Sequence, residues 1–206
     1  MRSPTGSNTI DASRTRVSID SGVDAMKPGR YTQRQPRELP AMAVQFRPAT
    51  TADLDALLPL VEEFHGLEKL PLDSQVDREV LLQLLIDNRL GQVILAVWEG
   101  ETAGYTIITF GFSIEFRGRD AFVDELFVRP HLQGRGIGTR LLELAAEGCR
   151  AAGVKALHLE VDHTNSRAQA LYTRFGFKDN QRYLLTRWIE SSDIENPSES
   201  LKFTQS

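Results

Sequence analysis

The chain reads as a mixed α/β protein, a central twisted sheet of mixed strand direction flanked by helices. Three observations lead there. Strand-like and helix-like apolar patterns alternate between Val44 and Ile189. A glycine-rich loop, Gln133-Gly134-Arg135-Gly136-Ile137-Gly138, sits between an apolar strand-like run, Phe122 to Val128, and a helix-like run, Thr139 to Ala152. A hydrophobic fraction of 41% in 206 residues is enough for one real core. Helices layered on a sheet are the arrangement in which such an alternation buries its apolar faces.

The elements follow in order. Val44-Gln45-Phe46-Arg47 predicts a strand stopped by Pro48. Thr50 and Asp53 form a capping-box-like helix start for Leu54, Leu57, Leu58 and Val61, with Pro59 inside the run as a kink or an early stop. A second helix is expected from about Asp77 to Asn88, with Val80, Leu81, Leu84 and Leu85 at helical spacing and Gly91 as its cap. Val93 to Trp98 and Thr102 to Phe112 read as strands of a hairpin turning at Glu99-Gly100-Glu101. The strands Phe122 to Val128 and Ala156 to Val161 are joined through a helix whose apolar face is Leu141, Leu142, Leu144, Ala145 and Ala146, so they should be parallel. Two last strands are expected near Phe177 to Asp179 and Tyr183 to Trp188.

The ends differ in composition. Residues 1–43 are expected to be a disordered extension: Met1 to Leu39 are rich in Ser, Thr, Arg, Gly and Pro and lack periodicity. Arg and Ser hint at a transit peptide there, but Asp11, Asp20 and Asp24 count against it, and Met42 is an alternative start. Residues 190–206 read as a polar, flexible tail, leaving 44–189 as the folded domain.

The glycine loop has the chemistry of a phosphate grip. Glycines at alternate positions permit positive φ and close backbone approach, and the following helix turns unpaired N–H groups and a positive dipole end toward the loop. Arg129, Arg135 and Arg140 add cations nearby. A P-loop would need Gly-Lys before Ser or Thr, and Gly138 is followed by Thr139 and Arg140. A dinucleotide fingerprint would need glycine at Thr139 and a tighter turn than Arg129 to Gln133 allows; Glu160, ending a strand-like run downstream, is its one support.

The loop also resembles the Gln/Arg-x-x-Gly-x-Gly/Ala element of the GNAT superfamily of N-acetyltransferases, through Gln133, Gly136 and Gly138. Downstream, Asn165-Ser166-Arg167-Ala168-Gln169-Ala170-Leu171-Tyr172-Thr173-Arg174-Phe175-Gly176-Phe177 is similar to that family's second block, and the resemblance spans about Val44 to Ile189. It implies the GNAT acyl-CoA fold, in which the strand before the loop and the strand after the helix splay apart to admit the pantetheine arm.

The resemblance further implies acetyl-CoA as co-substrate. Its pyrophosphate would lie on Gln133, Gly134, Arg135, Gly136, Ile137, Gly138 and Thr139, and its pantetheine amides would pair with the backbone of Leu126, Phe127 and Val128. Asn165 and Ala168 fall among the cofactor-side residues. Tyr172, seven residues after Asn165, stands where the family carries its general acid. Asp124 and Glu125 are the candidate bases. They are strand neighbours, so both reach the acceptor only if a bulge breaks the alternation, and the match to polyamine-acetylating members puts Asp124 slightly ahead.

Eight acids between Asp53 and Glu79 (Asp53, Asp55, Glu62, Glu63, Glu68, Asp73, Asp77, Glu79) face Lys69 and Arg78, which suggests a cationic acceptor, a small amine or a lysine side chain. Solvated helix faces would give the same count. A non-catalytic acyl-CoA sensor or scaffold is the alternative, against which the retention of Tyr172 and the acid pair argues. No metal is expected, because His158, Glu160, Asp162 and His163 lack a second ligand group with zinc-like spacing. His65 and His131 read as surface or loop histidines.

A net charge of -4 without a basic stripe disfavours nucleic acid. No apolar run reaches ~18 residues and no secretory h-region follows the start. A lone Cys149, read as a small core residue, fits a reducing compartment. A cytoplasmic enzyme, with organelle targeting by the extension left open and a homodimer in keeping with the resemblance, is the expectation.

Overall fold

The structure is a computed structural model and describes residues 44–189; the expectations for residues 1–43 and 190–206 lie outside the described residues. These fall into two units, 44–178 and 179–189. The first contains β1 (Val44–Pro48), α1 (Leu54–Glu68), α2 (Ser74–Ile86), β2 (Gly91–Trp98), β3 (Glu101–Ser113), β4 (Gly118–Val128), α3 (Ile137–Ala151), β5 (Ala156–His158) and α4 (Ser166–Arg174). The five strands form one sheet in the order β1-β2-β3-β4-β5, antiparallel up to β4 and parallel between β4 and β5. The mixed α/β architecture read from the sequence is the one observed.

Each face of the sheet carries its own core. Leu54, Leu57, Leu60, Val61, Phe64 and Leu81 of α1 and α2 pack with Leu95, Tyr105, Ile107 and Phe127 on one face. Leu141, Leu142, Ala145 and Cys149 of α3, with Ala168, Leu171 and Tyr172 of α4, pack with Ile108, Ala121, Val123, Leu126 and Val128 on the other. The β2–β3 turn uses Glu99 and Gly100 at φ of 52° and 86°, the paired positive angles that twist a two-residue hairpin correctly.

Four local expectations are corrected. Helix α1 does not stop at Pro59 but continues to Glu68, because burial of Leu57, Leu60, Val61 and Phe64 outweighs the roughly 3 kcal/mol that an interior proline costs. Helix α2 begins three residues before Asp77, where the Asp73 carboxylate accepts from the N–H groups of Gln75 and Val76, and Val80 on it is 58% exposed. Gly91 opens β2 instead of capping α2; a Cβ there would lie 2.0 Å from the Ile108 carbonyl oxygen, so the close strand approach, not a helix end, requires glycine. Strand β5 stops at His158, short of Val161.

The last two predicted strands are absent: residues 179–189 form neither helix nor strand, and Tyr183, Leu184, Leu185, Trp188 and Ile189 are exposed. An apolar alternating segment becomes a strand only where a neighbouring edge accepts its backbone groups and its side chains find a face to bury.

Candidate active site

The glycine loop is built as the sequence suggests. Gly134 and Gly136 adopt φ of 73° and 82°, angles that cost an L-residue about 1–2 kcal/mol, and Gly136 is the N-cap of α3. The Arg140 N–H donates to the Gly136 carbonyl at 3.0 Å, so the N–H groups of Ile137, Gly138 and Thr139 precede the first intrahelical bond and face the loop. Gln133 donates its side-chain N–H to the Val128 carbonyl at 2.9 Å, tying the loop to the end of β4. The three arginines named from the sequence each have local partners. Arg129 lies 3.6 Å from Glu63, Arg135 stacks over Trp98 and Arg140 pairs with Glu143 and Glu147. Arg167, at the start of α4, brings a guanidinium nitrogen to 3.9 Å from where a Gly134 Cβ would stand.

Beside the loop, β5 pairs with β4 only from Asp120 to Phe122. Beyond that point the outer edge of β4, including Leu126, Phe127 and Val128, has no strand paired to it among the described residues. An extended ligand bearing amides fits such an edge as an added strand. The Asn165 carbonyl oxygen of the side chain accepts from the Ala168 N–H at 3.0 Å, so these two residues cap and start α4. Two turns on, Tyr172 is 2% exposed and packs edge-on to Phe177 at 5.8 Å. Its hydroxyl is buried without a hydrogen-bond partner among the described residues, and burial pushes the phenol well above its ordinary value.

Across the sheet, a bulge decides where the acids go. Ile107 of β3 pairs with Glu125 and Ile108 with Val123, so Asp124 is the extra residue. Ala121 and Val123 face α3 and α4 before the bulge, Leu126 and Val128 after it; Glu125 and Phe127 are thereby turned to the α1 face. Glu125 is one of the few buried polar residues. Its Oε2 accepts from the Tyr105 hydroxyl at 2.6 Å, and its Oε1 lies 2.9 Å from His65 Nε2. With the shared proton on the ring, the N–H donates to the carboxylate; with it on the carboxyl, the O–H donates to the ring. Asp77 Oδ2 is 3.7 Å from the other ring nitrogen. Tyr105 is held far above its ordinary titration range by burial first, then by the charge and hydrogen bond of Glu125 and by the charges of Asp124 and Glu63.

His65 is thus no surface histidine. Its spacing carried the signal, since it follows the buried Val61 by four residues and so shares the inner edge of α1. Tyr105 likewise shares its face of β3 with Ile107, two residues on, within a fully buried run, where a phenol requires a partner. The acid-rich stretch is mostly committed locally: Asp53 pairs with Arg47, Asp55 with Arg78 and Glu63 with Arg129, while Asp73 caps α2. Negative charge at the site comes from Asp124, Glu125 and Asp77.

A five-stranded mixed sheet whose fourth strand leads into a positive-φ glycine loop at a helix start is the frame of the candidate site. The profile of the acetyltransferase (GNAT) family matches residues 55–177, and the chain belongs to that family. An aminoalkylphosphonate N-acetyltransferase of Salmonella typhimurium is 31% identical over 66% of this chain and 86% of its own length. A thialysine N-epsilon-acetyltransferase of Bos taurus is 27% identical over 66% and 85%. An integron cassette protein from the mobile metagenome of a salt marsh superposes with a TM-score of 0.64 at 33% identity, covering 71% of this chain and 91% of that one.

Proposed function

We propose that the protein transfers the acetyl group of acetyl-CoA to the primary amine of a small cationic acceptor, by direct attack with both substrates bound. The observation that carries this reading is the Tyr172 hydroxyl, buried without a partner among the described residues, in the core that also holds Leu126 and Val128 of β4 and Ile137 at the start of α3. The relatives named for thialysine and aminoalkylphosphonate act on amines of small molecules, and Asp124, Glu125 and Asp77 give this site the sign that attracts an ammonium.

Acetyl-CoA supplies an acetyl group activated as a thioester. Residues Gln133 to Thr139 hold its pyrophosphate with loop and helix-start N–H groups, and Leu126, Phe127 and Val128 pair its amide-bearing arm. A backbone N–H in that stretch donates to the thioester oxygen, where negative charge grows during attack. Asp124 and Glu125, on the α1 side of β4, orient the amine and take its proton. Tyr172, from the α4 side, gives a proton to the departing sulfur. The acid and the base therefore approach from opposite faces of the sheet, which keeps two opposed proton transfers from short-circuiting.

The test is thiol release from acetyl-CoA with thialysine, aminoalkylphosphonates, polyamines, amino acids and a lysine peptide. Turnover on small cationic amines is expected. Turnover confined to neutral or acidic acceptors would overturn the acceptor class, and acetyl-CoA binding with no turnover on any of them would favour a sensor.

A further inference from the structure

Glu125 is poorly placed to exchange protons with water on its own. Its side chain is 5% exposed and both oxygens are engaged. A carboxylate shut in this way that takes a proton from an ammonium must pass it on before the next turnover. His65 stands between Glu125 and the surface. Its Nε2 is 2.9 Å from Glu125 and its Nδ1 3.7 Å from Asp77. Side-chain exposure rises along the same line, from 5% at Glu125 to 12% at His65 and 17% at Asp77. An imidazole can take a proton at one nitrogen and release another from the second. Among the groups that face the ring are Glu125 from β4, with Tyr105 of β3 on its far oxygen, and Asp77 from α2; its helix neighbour Phe64 presents a tilted ring at 6.0 Å.

We propose, resting on the acetyl-transfer reading above, that Glu125, His65 and Asp77 form the route by which the proton given up by the acceptor amine leaves the site. The ammonium N–H bond breaks and the proton goes to the Glu125 carboxylate, directly or through Asp124. His65 Nε2 takes it from Glu125, and the imidazolium sheds its Nδ1 proton to Asp77, whose side chain is 17% exposed and passes it to solvent. One proton leaves the amine, one reaches solvent, and no electrons change hands. The ring regains its starting tautomer by a flip about χ2, because its Nδ1 is closed off from solvent. His65 acts through Glu125, so it is a positioning and relay residue.

The experiment compares wild type with His65→Gln in steady-state thiol release, from neutral pH up to the acceptor's own pKa, ~10.4 for a lysine-like amine. Glutamine keeps a donor for Glu125 and cannot relay. Expected is a fall in kcat of about 10²-fold near neutral pH with KM little changed. The deficit closes as the free amine becomes abundant, and added imidazole recovers part of it. Asp77→Asn, which alters only the outer end of the route, should show a smaller deficit with the same pH trend and carries the test if His65→Gln does not fold. Imidazole ¹⁵N resonances of His65 should also respond to Asp77→Asn in the protein without substrate. If wild type turns over and His65→Gln either matches it or loses equally at every pH without imidazole rescue, the relay is overturned and the transferase reading stands. If wild type releases no thiol with any amine, the transferase reading falls and takes the relay with it.

Discussion

Tyr105 and Tyr172 are buried to nearly the same depth, 0% and 2% exposed, yet they use their hydroxyls in opposite ways. Tyr105 donates to Glu125 at 2.6 Å from within the α1 and α2 face. Tyr172 lies in the α3 and α4 face, and its oxygen has no partner among the described residues. Leaving a buried hydroxyl unpaired costs about 1–3 kcal/mol, so the two faces are built on different terms. One spends its polar groups on holding a carboxylate in place. The other tolerates an unsatisfied donor at the point where a ligand would supply the acceptor, the usual context for such exceptions in a native fold.

The largest effect expected from breaking this contrast is catalytic. Tyr172→Phe should lower kcat by about 10²-fold or more, while stability stays unchanged or rises by about 1 kcal/mol, since a buried orphan is removed. Because burial pushes this phenol up, away from its ordinary ~10, it stays protonated throughout the working range. The wild-type kcat should then show no descending limb from this group below about pH 10. Thermal denaturation beside steady-state kinetics decides it: a variant that loses stability along with turnover would mean that the hydroxyl serves the fold after all.

Tyr105→Phe should do the reverse. It removes one of the two partners of Glu125 and leaves the carboxylate buried, so a stability loss of about 1–3 kcal/mol is expected in denaturant titration. An unchanged midpoint would show that Glu125 does not depend on that bond. Gly136→Ala comes next. Nothing lies within 4 Å of the added Cβ, so the cost is conformational alone, about 1–2 kcal/mol for φ of 82°. Coenzyme A affinity, measured by calorimetry, should fall with it as the loop shifts its N–H groups.

The contrast also explains what the sequence could and could not reveal. The glycine loop and the start of α4 were legible because their residues are local: Gln133 to Thr139 and Asn165 to Tyr172 are contiguous blocks, marked by their resemblance to one family's motifs. The α1 face was only half legible. Asp124 and Glu125 were visible as a pair, but their roles depend on a bulge, and a bulge is fixed by the register of β3 against β4, a long-range property. His65 reaches Glu125 across 60 positions of chain, and no periodicity within α1 specifies what its inner edge will meet. The missing strands after Phe177 failed for the same reason, since alternation indicates a candidate strand and says nothing of its neighbour. Helix α2 is a milder case: its start was set by the Asp73 cap, which the apolar pattern alone does not contain.

The smallest effect belongs to a paired group far from either tyrosine. Asp53 accepts hydrogen bonds from both terminal nitrogens of Arg47, at 2.8 and 2.6 Å, and from the backbone N–H and hydroxyl of Thr50, at 2.8 and 3.0 Å. Its carboxyl is held well below the usual range, first by Arg47 and then, against the opposing effect of burial, by Thr50. A depressed folded value binds fewer protons than the unfolded chain does between the two pKa values. The stabilisation is therefore fully present above the unfolded value near 3.9 and drains away as pH falls below it toward the folded one. Arg47 is 45% exposed, so screening keeps the contribution to about 1 kcal/mol or less. Asp53→Asn should accordingly lose little at pH 7 and flatten the acid limb of a stability–pH curve below about pH 4. A steeper limb in the variant would mean that the Arg47 pair does not contribute to acid unfolding in this way.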